Sequence, residues 1–293
     1  MPKPNVKKEF KLFTPRVRSR HPSHDPLRGT LQKMPFRSVV RFGSITEIAD
    51  DNFKVHCNTP AAVKNSASKF LMKHCFIKGG VVTAPWMPMT TAGDIIKMDD
   101  RQGLSSNDKQ YQNVPFPLII KHIYGSRGTG NYKIDTPKDL EAWKNGKNLK
   151  EYIVEQYKTY SREYRLHVTE EGCFYTCRKM LKNDTPEDKK FQRHDDNCVW
   201  ILEENAAFDK PVNWNAIVAD CVKALKSLGL DVGAFDLKVQ SAKDQKGKKR
   251  ENPEWIVIES CSAPSFGKVT TERYLAEIPK ILMRKAKEQG VLA

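Results

Sequence analysis

At 293 residues the chain can bury a sizeable core in one large domain or in two to three lobes. With 39% apolar and 29% charged residues it reads as soluble and globular. No apolar run approaches the ~20 residues of a membrane span, and the N-terminus lacks the apolar h-region of a secretory signal. Net charge is +15 and uneven: residues 1–41 carry eleven Lys and Arg against Glu9 and Asp25, hence +9. Such an arm either favours nucleic acid through counterion release or is a solvated tail. Seven cysteines without framework spacing suit a reducing cytosol, and "CFYTC" reads as strand packing rather than a zinc knuckle.

After the arm, "SVVRFGSI" and "FKVHC" read as short strands. Thr59 is then a helix N-cap with Pro60 at the first helical position. The helix continues through "SASKFLMKHCFIKGG" with Phe70, Leu71, His74 and Cys75 on one side, and closes at Gly79 and Gly80. His74 reads as a packing residue of that face. A loop-rich segment runs from Pro85 to Pro115. "PLIIKHI" is a strand, a glycine loop turns, and "YKI" returns as its hairpin partner. "TPKDLEAW" is a helix capped by Thr136, with Asp139 three residues on.

Three strands follow in "YIVEQY", "EYRLHVT" and "CFYTCRKML". Helical spacing of Ile217, Val218, Cys221, Val222, Leu225 and Leu228 predicts a helix ending at Gly229. The strands "VGAFDLKVQ" and "EWIVIES" flank a lysine-rich hairpin tip. The last helix, "TERYLAEIPKILMRKAKEQG", is expected to kink at Pro279. Strands and helices mix without regular alternation, which predicts an α+β fold of separate lobes.

Four features fall in a suggestive order: Lys69 early in a helix, Lys121 beside the glycine loop, the strand residues Glu155, Glu163 and Arg165, and the carboxylates Asp236 and Glu259 on adjacent strands. The glycine loop lacks the Gly-Lys-Ser/Thr of a Walker loop and the helix start of a dinucleotide fold. Between antiparallel strands it can instead cover phosphates as a flap of backbone donors. Asp236 and Glu259 lie amid Phe, Leu, Val and Ile, where a carboxylate is costly unless it meets a cation. That cation is either a Lys or Arg, or Mg²⁺ shared with nucleotide phosphates. Two lysines, a glycine flap and paired carboxylates together describe a Mg-ATP site.

On "RFGS", "NSASKFLMK", "EYRLHV" and "RHDDN", over residues 38–270, the chain resembles the ATP-grasp ligases, and most of all the short ATP-grasp proteins of tailed bacteriophages. The superfamily includes D-alanine–D-alanine ligase and the ribosomal-protein glutamate ligases. The resemblance implies two α+β lobes gripping ATP, at 69–157 and 158–293. Ahead of them it implies an abbreviated region at 38–68 and the basic arm at 1–37. Lys69 and Lys121 fall on the nucleotide lysines, and Gly125, Ser126, Gly128 and Gly130 on the phosphate-covering loop. Glu155, Gln156 and Tyr157 match the adenine hinge, Glu163 lies near the ribose-binding acid, and Lys179 is another nucleotide-side cation. Arg165 and Arg193 are candidates to steady an acyl phosphate or the acceptor, and His194 to line the acceptor site. Asp236 and Glu259 match the Mg²⁺ ligands, while Cys261 replaces an asparagine and so weakens a second ion. The implied activity is ADP-forming ligation of a carboxylate to an amine or related nucleophile, in the cytoplasm of the host if viral. The alternative is a nucleic-acid-binding or virion-associated protein on the same scaffold, using residues 1–41.

Overall fold

The computed structural model describes residues 10–13, 25–49, 52–90, 97–99, 103–106, 108–126, 128–191 and 197–292. Part of the basic N-terminal stretch is built into the fold. A short strand unmarked in the sequence, β1 (Phe10–Phe13), pairs in parallel with β2 (Ser38–Arg41), which pairs in parallel with β3 (Val55–Cys57). Helix α1 (Asp25–Gln32) buries Leu27 and Leu31 in one core with Val40, Val55 and, from α6 (Lys268–Glu288), Ile278 and Leu282. Helix α6 runs on through Pro279. Arg41 is fully buried, its Nε donating to the Thr46 carbonyl at 3.0 Å, so it drops out of the basic surface.

The single helix expected from Thr59 to Gly79 is two. Helix α2 (Pro60–Ala67) opens with the Thr59 hydroxyl accepting the Ala62 N–H at 3.2 Å. It stops at Ser68, whose backbone is extended (φ −96°, ψ 115°). The Ser68 hydroxyl then accepts the Leu71 N–H and starts α3 (Lys69–Lys78). A serine offers the backbone this local alternative to helix. The buried face of α3 is Lys69, Met72, Lys73 and Phe76, rather than the Phe70, Leu71, His74 and Cys75 expected. His74 packs edge-on against Phe70, Trp86 and Tyr111, a packing residue as expected.

The segment from Pro85 to Pro115 is not all loop. It supplies β4 (Trp86–Pro88) and a ribbon of β5 (Lys97–Asp99) and β6 (Gly103–Ser105). Strand β4 is the edge of an antiparallel sheet with β7 (Leu118–His122), β8 (Asn131–Ile134) and β9 (Tyr152–Gln156), in the order β4-β9-β7-β8. Helix α4 (Pro137–Lys144) starts with the expected capping box of Thr136 and Asp139 and buries Leu140 against this sheet.

The largest sheet is antiparallel in the order β12-β11-β10-β13-β14. Its strands are β10 (Arg162–Thr169), β11 (Gly172–Leu181), β12 (Cys198–Leu202), β13 (Val232–Val239) and β14 (Trp255–Cys261). Side chains alternate faces along a strand. One face therefore carries Tyr164, Leu166, Val168, Phe235, Leu237 and Val257, which bury against α3 and α5 (Trp214–Leu228). Helix α5 ends as expected at Gly229, which takes φ +75°. The opposite face carries Glu163, Arg165, Lys179, Asp236 and Glu259. No helix among the described residues is long and apolar enough to cross a membrane.

Candidate nucleotide and carboxylate site

Register assembles the polar face. Arg165 pairs across β10–β13 with Asp236, Glu163 pairs across β10–β11 with Lys179, and Asp236 pairs across β13–β14 with Glu259. Arg165 grips both oxygens of Asp236, Nε to Oδ1 at 2.6 Å and Nη2 to Oδ2 at 2.8 Å. Lys179 Nζ lies 3.3 Å from Asp236 Oδ2 and 3.3 Å from Glu163 Oε1. Burial opposes charge on Asp236, yet Arg165 and Lys179 hold it well below the usual carboxylate range.

A second cluster forms where α3 meets the four-stranded sheet. Glu155, on β9, is 2% exposed and lies between two buried ammoniums, Lys73 and Lys121, each 2.9 Å away. Burial pulls the Lys73 ammonium down to about 8, against the attraction of Glu155. Lys73 also donates to Thr83 Oγ1 at 2.5 Å, and Thr83 donates to the Val257 carbonyl at 3.0 Å, which ties the trio to β14. Two buried cations share one carboxylate, an excess of positive charge that favours an anion nearby.

Lys69 joins the two clusters. The break at Ser68 puts it in the first turn of α3, where its ammonium donates to the Gly125 carbonyl and lies 3.9 Å from Glu259. Gly125 opens the β7–β8 turn, and a Cβ there would lie 2.5 Å from the Thr129 carbonyl. Gly128 and Gly130 take φ +72° and +76°, which favour glycine. Within the turn, Gly125 N–H donates to the His122 carbonyl at 3.0 Å and Thr129 N–H to the Ser126 carbonyl at 3.0 Å. Gln156 and Tyr157 donate their N–H groups to the Pro85 and Pro117 carbonyls at 2.9 and 2.8 Å. Arg193 and His194 lie outside the described residues.

The structure thus gathers Lys69, Lys121, Glu155 and Glu259 around the turn, and Glu163, Arg165, Lys179 and Asp236 on the sheet beside it. Sequence reading missed Lys73, although it lies one helical turn from Lys69 on the face of Met72 and Phe76. Expected as an adenine contact, the Glu155 carboxylate is here an internal counterion.

Below Arg165 on the same face, His167 is buried and shares a 3.1 Å hydrogen bond with the Tyr274 hydroxyl. Burial, and then Arg165, push its pKa down to about 3. Between that value and its ordinary one near 6.5, the unfolded chain binds a proton that the fold refuses. Stability therefore rises with pH across this window. Lowering pH from 6.5 to 5.5 is expected to cost about 1 kcal/mol through this residue alone. Urea unfolding at the two pH values should show that loss, and His167→Phe should remove it.

No protein-family model matches the chain, and no curated protein matches it by sequence. Solved structures do match. D-alanyl-alanine synthetase A from Vibrio cholerae superposes at a TM-score of 0.54 with 13% identity, over 87% of this chain and 77% of that one. N5-carboxyaminoimidazole synthetase from Staphylococcus aureus, complexed with ADP, superposes at 0.51 with 17% identity, over 80% of this chain. The fold is ATP-grasp. At these identities the likeness is one of fold, and the chain spans only 56% of the S. aureus synthetase.

The donor set on this polar face fits Mg²⁺ unequally. Asp236 and Glu259 are register partners on adjacent strands. Both oxygens of Asp236 are nonetheless taken by Arg165 and Lys179, and Cys261 offers soft sulfur where Mg²⁺ prefers oxygen. Glu259 is the open donor, its side chain 40% exposed. Among the described residues no group of three or more His, Cys, Asp or Glu is arranged to hold a metal. Mg²⁺ commonly keeps several waters and binds one or two carboxylates plus phosphates. These residues fit one such ion at Glu259 and not two.

Proposed function

We propose that the chain is an ADP-forming ATP-dependent ligase joining a carboxylate to an amine or related nucleophile through an acyl phosphate. The observation that carries this reading is the buried trio Lys73–Glu155–Lys121, two cations on one carboxylate, beside Lys69 of the same helix as Lys73, which donates to the glycine turn at Gly125. Lys121, aligned by Glu155, and Lys69, exchanging the Gly125 carbonyl for a phosphate oxygen, bind the triphosphate. The hairpin covers it and excludes water. Mg²⁺ carried in with the triphosphate beside Glu259 would neutralise phosphate charge.

On the polar face of the largest sheet, Arg165, together with Lys179, which the resemblance puts on the nucleotide side, holds the substrate carboxylate. Its oxygen attacks the γ-phosphorus, the bond to ADP breaks, and an acyl phosphate forms. The amine nitrogen then attacks the acyl carbon, phosphate leaves, and the amine proton passes to solvent. No thiol nucleophile is called for: burial pushes Cys173 and Cys177 up to about 12, the wrong direction for activation. We infer the cytoplasm as its location, that of the host if the chain is viral, from the resemblance of its motifs to short bacteriophage proteins.

The test is ADP release over panels of carboxylates paired with amino acids, polyamines and peptides, with mass spectrometry of the products. We expect ADP and a condensed product in equal amounts from at least one pair. Glu259→Ala should slow release by about a hundredfold or more, the scale of removing one electrostatic contact to the reacting charge. Binding of ATP without ADP release from any pair would overturn the ligase reading.

A further inference from the structure

We propose that Trp200 is a specificity-determining residue that selects carboxylates bearing a flat aromatic group. This rests on the proposed activation of a carboxylate at the same face. Trp200 lies on β12, the edge strand of the largest sheet, directly across from Lys179, and Leu202 is across from Cys177. Both therefore project on the face of Arg165 and Asp236. They remain 36% and 38% exposed, and neither joins the three apolar cores.

Its neighbours point to a ligand. The centre of the indole lies 5.1 Å from the Arg165 guanidinium carbon and 5.2 Å from the Lys179 ammonium. Cations at this distance are held by the electron-rich ring. Arg165 is also pinned by Asp236 through Nε and Nη2, which leaves its Nη1 edge outside that pair. An aromatic wall thus borders two cations fixed in advance. A carboxylate meeting Arg165 and Lys179 brings its nearest substituent against Trp200 and Leu202. A flat ring there gains stacking and buried area, and a short aliphatic or polar substituent gains little.

The probes are 3-phenylpropionate and propionate, which share the carboxylate and differ in the ring. Calorimetry on the full chain should show 3-phenylpropionate binding about tenfold more tightly than propionate, the scale of one aromatic pair. Trp200→Ala should bring the two acids to near parity, and Trp200→Phe should keep most of the preference. Thermal unfolding of each variant confirms that the edge strand is intact. Parity in the unaltered protein, absence of binding by either acid, or a preference that survives Trp200→Ala would overturn the proposal. Mg-ATP affinity measured on the same samples separates the two readings: loss of ATP binding with the ring preference intact sinks the ligase assignment and leaves Trp200 as an aromatic-acid contact.

Discussion

Replacing Glu155 by glutamine is expected to lower the unfolding free energy by about 3–5 kcal/mol, the cost of removing one partner from a buried ion pair. The carboxylate is 2% exposed and stands 2.9 Å from both Lys73 and Lys121. Glutamine keeps the shape and removes the charge, so two ammoniums remain in a dry site without a counterion. One of them can shed its proton. Lys73 already sits near 8 in the fold, against an ordinary value of 10.5, so across that interval the unfolded chain binds more protons than the folded one. Stability of the variant should therefore recover as pH is raised from 7 towards 10. Urea unfolding at both pH values measures it. A Glu155→Gln protein as stable as the original, but defective in ATP binding, would show that the carboxylate serves the nucleotide rather than the lysines.

Lys121→Ala is expected to weaken Mg-ATP binding by about 3 kcal/mol, a little over a hundredfold, while leaving the fold intact. Lys121 is 4% exposed and lies at the end of β7 where the glycine turn begins. Its loss removes a phosphate contact, yet Glu155 keeps Lys73 as a partner, so no buried charge is stranded. That asymmetry separates the two variants: Glu155→Gln fails mainly in stability, Lys121→Ala mainly in affinity. Lys73→Met tests the same division from the other side, because Lys73 reaches Glu155 and Thr83 rather than the turn. Calorimetry giving unchanged ATP affinity for a folded Lys121→Ala protein would remove the phosphate site from this hairpin.

Local chemistry made much of this architecture readable in advance. The alternation of Tyr164, Leu166 and Val168 with Glu163, Arg165 and His167 assigns a strand with one face for a core and one for charge. Thr59, Thr136 and Gly229 mark helix ends because each satisfies a backbone group within a few residues of itself. The order of Lys69, Lys121, Asp236 and Glu259 pointed to a nucleotide fold, and the superpositions on solved structures agree with that fold. What stayed hidden depends on contacts distant along the chain. Ser68 breaks a helix that periodicity alone would continue, since its hydroxyl competes with the i→i+4 ladder. Lys73 looks like any helical lysine until Glu155, 82 residues later, closes on it. Phe10–Phe13 has too few residues to declare a strand, and pairs only because β2 presents an open parallel edge. Asp236 and Glu259 could be recognised as neighbours, but which cation each one meets is set by sheet register. Register is fixed by packing over the whole core, not by the residues on either side of a carboxylate.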